Sequence, residues 1–151
     1  MDVSESFGLV SQFNFIAING GGGIDGSYDV LFEPLQNILK EINKRGHVIG
    51  IHPSYKSYLD PERILNESNR LRQSMKEVGI EQSKLGGRQH YLRWKNPDTW
   101  QSYSDANLDY DSSIGSEYYS GFRTGSCYSY PVYNLLERKS LDLREYPLHI
   151  M

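Results

Sequence analysis

Gly46-His47-Val48-Ile49-Gly50-Ile51-His52 is an apolar run set between two histidines and followed at once by Pro53. Proline stops a hydrogen-bonded ladder and turns the chain outward, so the run reads as a buried strand that presents His52 at its carboxyl end. The same design recurs in Gly87-Arg88-Gln89-His90-Tyr91, in Asp109-Tyr110-Asp111-Ser112-Ser113 and in Glu145-Tyr146-Pro147-Leu148-His149. Helical stretches separate the first from the second and the second from the third. Polar chemistry gathered at successive strand ends is how an α/β barrel builds a site.

Outward from these segments, residues 11–18 alternate aromatic and polar side chains and then turn apolar, as a strand does, and a glycine-rich turn over 20–26 ends them. Pro34 suits a first helical turn; Leu35, Ile38, Leu39 and Ile42 form a stripe, and Gly46 follows Lys44 and Arg45 where a C-cap belongs. Asp60-Pro61 opens a second helix with Ile64, Leu71, Met75 and Val78 on one face, and Gly79 closes it. The pattern predicts a third strand over 88–94, a short helix over 97–106, a strand or turn over 107–113, a loop over 115–133 and an extended segment over 143–150. Strands alternating with helices mean parallel βαβ units in a single domain spanning residues 1–151.

Composition narrows the function classes. With 38% apolar and 23% charged residues the chain is ordinary globular material, and a net charge of -3 gives no footprint for nucleic acid or an anionic membrane. The single cysteine, Cys127, excludes an internal disulfide and a cysteine-based zinc cluster, and reads as a small buried hydrophobe. The start lacks a basic region followed by an apolar one, and no apolar run approaches the roughly 20 residues of a membrane span, which reads as cytoplasmic. Twelve tyrosines and two tryptophans suit stacking on sugar rings or half-burial under loops.

Two shorter patterns carry little. Gly21-x-Gly23-x-x-Gly26 has the form of a dinucleotide fingerprint, but the expected helix starts later, near Pro34, and the next strand ends in a histidine rather than an acid. Gly125-Ser126-Cys127 lacks the strand-to-helix elbow of a nucleophile turn. Among the histidines, His47 opens a strand and reads as structural, whereas His52 and His90 close strands and are candidate ligands or catalytic groups.

The first segment resembles the G-H-E-I-G-x-H stretch of polysaccharide deacetylases, the carbohydrate esterase family 4 group. Arg88-Gln89-His90-Tyr91 is similar to the R-x-P-Y motif of that family, Tyr110-Asp111-Ser112-Ser113 to its Y-D-S-S stretch, and Glu145-Tyr146-Pro147-Leu148-His149 to its late E-x-P segment, overlapping an L-x-H motif. The resemblance covers residues 11–151. It implies a partial or distorted (β/α) barrel that hydrolyses the N-acetyl group of a polysaccharide amino sugar with a divalent metal, zinc in many members. Carried over by position, His52 is a metal ligand, Arg88 orients a catalytic aspartate, the Tyr91 N–H helps hold the oxyanion, Asp111 supports a late histidine, and His149 is that catalytic acid.

The family's T-F-D-D segment, source of the metal aspartate and the base, has no match before Ser11, and its second metal histidine falls on Lys56. A protonated ammonium cannot ligate a metal, so His90 is the candidate for the missing imidazole. The domain is expected to lack a first strand and closing elements, to expose strand edges that pair between copies, and to show little hydrolysis by itself. Two classes remain: a metal-dependent amide hydrolase of N-acetylated saccharide, and a non-catalytic relative that binds saccharide through Tyr91, Trp94 and other aromatics or serves in assembly.

Overall fold

The run after His47 forms strand β2 (Val48–Ile51), which in the computed structural model lies between β1 (Gln12–Phe15) and β3 (Gly86–Gly87), parallel to both. The structure describes residues 1–18, 23–116, 118 and 120–150. Beyond β3 come β4 (Tyr110–Asp111) and β6 (Lys139–Glu145), again parallel, and β5 (Tyr130–Asn134) returns antiparallel along β6, giving the order β1-β2-β3-β4-β6-β5. The sheet is not closed. Its register aligns Phe15, Ile51, Gly87, Asp111 and Glu145 in one row. The next row therefore holds His52, Arg88, Ser112 and Tyr146, and places the four sequence segments along a single carboxyl edge.

Helices cover one face. They are α1 (Asp2–Ser6), α2 (Glu33–Lys44), α3 (Pro61–Glu77) and α4 (Asp98–Asp105). Proline in the first turn starts α2 and α3, the Asp60 side chain accepts the Arg63 N–H at 3.0 Å, and the left-handed Gly46 and Gly79 follow the helix ends. Leu39 and Ile42 of α2, Ile64, Leu71 and Met75 of α3, and Trp100 and Tyr103 of α4 share one core with Ile49, Ile51, Val132, Leu141 and Leu143 of the sheet. Each fully buried side chain of this kind contributes about 1.5–3 kcal/mol. No helix among the described residues is long and apolar enough to cross a membrane.

The expected alternation of strands and helices forms, with three corrections. Residues 88–94 are not a strand: β3 lies just upstream, and His90–Leu92 is a 3-10 turn in which Tyr91 (φ 57°) and Leu92 (φ 51°) are left-handed. A side chain at Gly87 would collide with the Ile51 carbonyl, so only glycine allows this approach of β3 to β2, and past it the Gln89 N–H turns to Ser113 Oγ at 2.9 Å. The loop and extended segment expected after 115 contain the β5–β6 hairpin. Cys127 is exposed rather than buried. The glycine pattern from Gly21 begins outside the described residues, and α2 opens well after Gly26.

The segment behind His52 is tied to α3. Glu67, fully buried, accepts the Ser54 N–H at 2.7 Å, the Ser54 hydroxyl at 2.5 Å and the Arg63 Nε–H at 3.1 Å. Glu67→Ala leaves those donors unmatched and is expected to lower stability by about 3 kcal/mol in urea denaturation, as breaking a buried charge pair does. A loss below about 1 kcal/mol, the scale of an exposed pair, would show that Glu67 is not the anchor.

Candidate functional site

His52 stands one residue beyond β2, its N–H bound to the Phe15 carbonyl. Its Nδ1 donates to the Arg88 carbonyl at 2.7 Å, which leaves Nε2 as the acceptor nitrogen, and His90 Nδ1 donates to that nitrogen at 2.8 Å. The two rings meet edge to face with centroids 4.8 Å apart. Burial, and the nearby His90 ring, push His52 down to about 4, so it is a neutral imidazole at physiological pH.

A carboxylate completes the row. His90 Nε2 lies 3.3 Å from the Ile24 carbonyl and 3.7 Å from the buried Asp25 carboxylate, which also accepts the Tyr55 N–H at 2.8 Å. Asp25 belongs to the glycine-rich turn over 20–26 and does not stand at a strand end, so a reading of strand ends passes over it; the signal is an acid in the loop after a strand adjoining β2. Tyr55 turns its ring edge to those of His90 and Tyr91, and Arg93 lies over Tyr55 at 4.1 Å and over Tyr58 at 4.2 Å. The exposed Tyr91 stands at a cleft of about 660 Å³ whose walls include Leu92, Ser116, Phe122 and Arg123.

The remaining expected residues are dispersed. Arg88 contributes its carbonyl to His52 and directs its Nε–H to the Ser112 carbonyl at 3.0 Å. Trp94 packs against Trp100 with ring centroids 4.9 Å apart and lies half-buried at the margin of the core. His149 leans on Phe122 and lies 3.3 Å from the Cys127 carbonyl through Nε2, while its Nδ1 has no hydrogen-bond partner among the described residues. Asp111 thus does not hold His149: its Oδ1 accepts the N–H and hydroxyl of Ser113 instead, at 3.0 and 2.5 Å. Lys56 is exposed. His47 is buried and structural, its Nδ1 accepting the Ser11 N–H at 3.2 Å.

Asp111 pairs with a second buried acid on the neighbouring strand, Glu145. Glu145 shares a face of β6 with Leu141 and Leu143, and its two oxygens accept the Trp100 Nε1–H at 3.1 Å and the Ile114 N–H at 3.2 Å. Both carboxyls are fully buried, and burial holds both well above the usual carboxylate range. Asp111 Oδ2 receives no donor from the described protein groups, so a proton kept by the pair is shared between that oxygen and Glu145. An acidic side chain in register with two core leucines was the available signal.

The resemblance implies a metal, and the donor set answers in part. A neutral His52 whose Nδ1 is fixed by a carbonyl offers Nε2 as a ligand, and His90 Nδ1 faces it. Catalytic zinc commonly takes three protein ligands. No group of three or more histidine, cysteine, aspartate or glutamate side chains among the described residues is gathered to hold an ion, and Asp25 adjoins the opposite nitrogen of His90. The described residues fit as two imidazole ligands and not as a complete set.

No protein-family model and no curated protein sequence matches the chain. Its fold is similar to the crystal structure of a "putative polysaccharide deacetylase" from Mycobacterium smegmatis, with a TM-score of 0.60 at 16% identity over 97% of this chain. The chain spans 43% of that protein's length. The likeness establishes the fold: a mostly parallel, open α/β sheet of the polysaccharide deacetylase type.

The buried pair generates a pH test. Free carboxyls titrate near about 4, whereas the native pair keeps its proton to higher pH, so the folded state binds more protons between those limits and stability falls as pH rises through them. Urea midpoints of the parent should drop between about pH 5 and about pH 8 by the equivalent of about 1–3 kcal/mol. In Asp111→Asn the amide nitrogen donates where the proton did while Oδ1 still accepts from Ser113, and the drop should flatten. An unchanged slope in that variant would place the proton elsewhere.

Proposed function

We propose that the chain is a deacetylase-like hydrolase domain acting on the amide C–N bond of an N-acetylated amino sugar, with a divalent metal, zinc for preference, bound through His52 and His90. The observation that carries this reading is the convergence of two imidazoles at the carboxyl edge of the sheet, one of them held neutral, beside a buried carboxylate and an aromatic cleft. An ion so held would polarise the acetyl carbonyl and activate water.

The chain's own groups divide the remaining work. The Arg88 carbonyl fixes the tautomer and direction of His52. Asp25, at the far nitrogen of His90, offers a carboxylate to the site, either turning in as a third ligand or accepting the His90 Nε2–H and so orienting the imidazole and raising its basicity. Tyr91 binds the sugar at the cleft mouth, and its backbone N–H is the candidate donor to the carbonyl oxygen. His149, leaning on Phe122 of the cleft wall, is the candidate donor to the leaving amine. The incomplete ligand set and Lys56 favour the second reading, a relative that binds saccharide without cleaving it.

Calorimetry with zinc and acetate release from a chitin oligomer separate the two. Micromolar zinc binding is expected in the parent, lost in His52→Ala and His90→Ala and weakened at least about tenfold in Asp25→Ala. Acetate release should require zinc and vanish in His52→Ala. Absence of zinc binding by the parent would overturn the metal site, and binding of metal and oligomer without acetate release would establish the non-catalytic reading.

A further inference from the structure

Among the described residues the helices pack on the sheet face of Ile49 and Ile51, and the opposite face borders a groove. Parallel sheets are ordinarily buried on both faces, so the residues on this one invite a reading of what occupies it. Gln12 and Asn14 lie across Gly50, where any Cβ would strike both amides, and Tyr110 lies across Gly86 in the same way. Over them runs a groove of about 560 Å³, lined also by Lys84, Arg88 and Tyr146.

The hydrogen-bond accounting of this face leaves donors over. The Tyr110 hydroxyl donates to Gln12 Oε1 at 2.9 Å, and Gln12 Nε2 donates to Asn14 Oδ1 at 2.6 Å. Both amide oxygens are thus engaged, while the Asn14 amide hydrogens, the second one of Gln12 and the Arg88 Nη groups have no partner among the described residues. Burial, and Tyr146 beside it, push Tyr110 up to about 12, so its hydroxyl stays a donor. No carboxylate lines the groove, although the chain as a whole carries a net charge of -3. Two cations, spare amide donors and the Tyr110–Tyr146 ring pair, 5.1 Å between centroids, form a surface complementary to a ligand rich in acceptors and negative charge with flat ring faces.

We propose that this groove binds an acidic saccharide, an oligosaccharide bearing ring carboxylates. Arg88 takes a carboxylate through its free Nη edge, the Asn14 and Gln12 amides donate to ring hydroxyl oxygens, Lys84 adds charge at the rim, and the Tyr146 ring covers a sugar face. The binding requires neither a metal nor hydrolysis at His52 and His90.

The test is calorimetry of the intact chain with trigalacturonate, in buffer containing a chelator, against neutral chitotriose. Trigalacturonate should bind, more weakly as salt rises, and more tightly than the neutral trisaccharide. Asn14→Asp keeps the acceptor for Gln12 but replaces the donors with charge, and should weaken binding at least about tenfold. The exposed Lys84→Gln leaves the packing alone and should weaken it about two- to fivefold. Circular dichroism checks that both variants fold. No binding, equal binding of the neutral sugar, or affinity unchanged in Lys84→Gln would overturn the proposal. Self-association of the parent that disappears in Asn14→Asp would also overturn it, making a second copy the occupant.

Discussion

The backbone of Gly87 lies so close to Ile51 that no side chain fits between them, and the carboxyl edge of the sheet is arranged around that approach. With β3 drawn against β2, the Arg88 N–H reaches the Ile51 carbonyl at 3.0 Å and the Arg88 carbonyl comes within hydrogen-bond distance of His52. Gln89 then turns to Ser113, His90 meets His52, and Tyr91 and Leu92 just after it are left-handed. Non-glycine residues in that conformation cost of order 1–3 kcal/mol each and persist where surrounding contacts hold them. Here those contacts include the hydrogen bonds that bring the two imidazoles together.

What the sequence makes legible follows from how each element is encoded. Helices α2 and α3 carry a stripe, a proline start and a glycine stop, and β2 carries an apolar run, so all three are readable by period alone. β3 is two glycines, with no side chain to show a period, and the alternation just after it imitates the strand that it follows. The β5–β6 hairpin turns without a glycine: Asn134 Oδ1 accepts the N–H groups of Leu136 and Glu137, and Arg138 takes the left-handed position. The pairing of His52 with His90 was legible because both residues follow neighbouring strands on the carboxyl side of the sheet, although His90 stands in the 3-10 turn after β3 and not at a strand end. Asp25 comes from a loop, and the inward turn of Trp94 depends on Trp100, a contact that no local pattern encodes.

Buried acids take two forms in this molecule. Glu67 is matched by donors from the loop that it holds, so its charge is answered locally and the chain behind His52 is pinned to α3. Asp111 and Glu145 face one another with donors on three of their four oxygens, and the fourth, Asp111 Oδ2, is met by the proton that the pair keeps. The first arrangement fastens a loop to a helix. The second joins β4 to β6 beneath the row that holds Arg88 and Ser112, and it makes this end of the sheet responsive to proton activity at a distance from the histidines.

The inverted order of the last two strands has its own outcome. Because β6 takes the inner position and β5 the outer one, the chain leaving β4 must travel past the strand ends to the far edge before it can return. That passage contains Ser116, Phe122 and Arg123, so the same stretch serves as sheet connection and cleft wall. Connections on the surface tolerate insertion and deletion far better than the elements they join. Evolution can therefore lengthen or shorten this wall, and with it the reach of the cleft, while the register of the sheet and the histidine pair stay as they are.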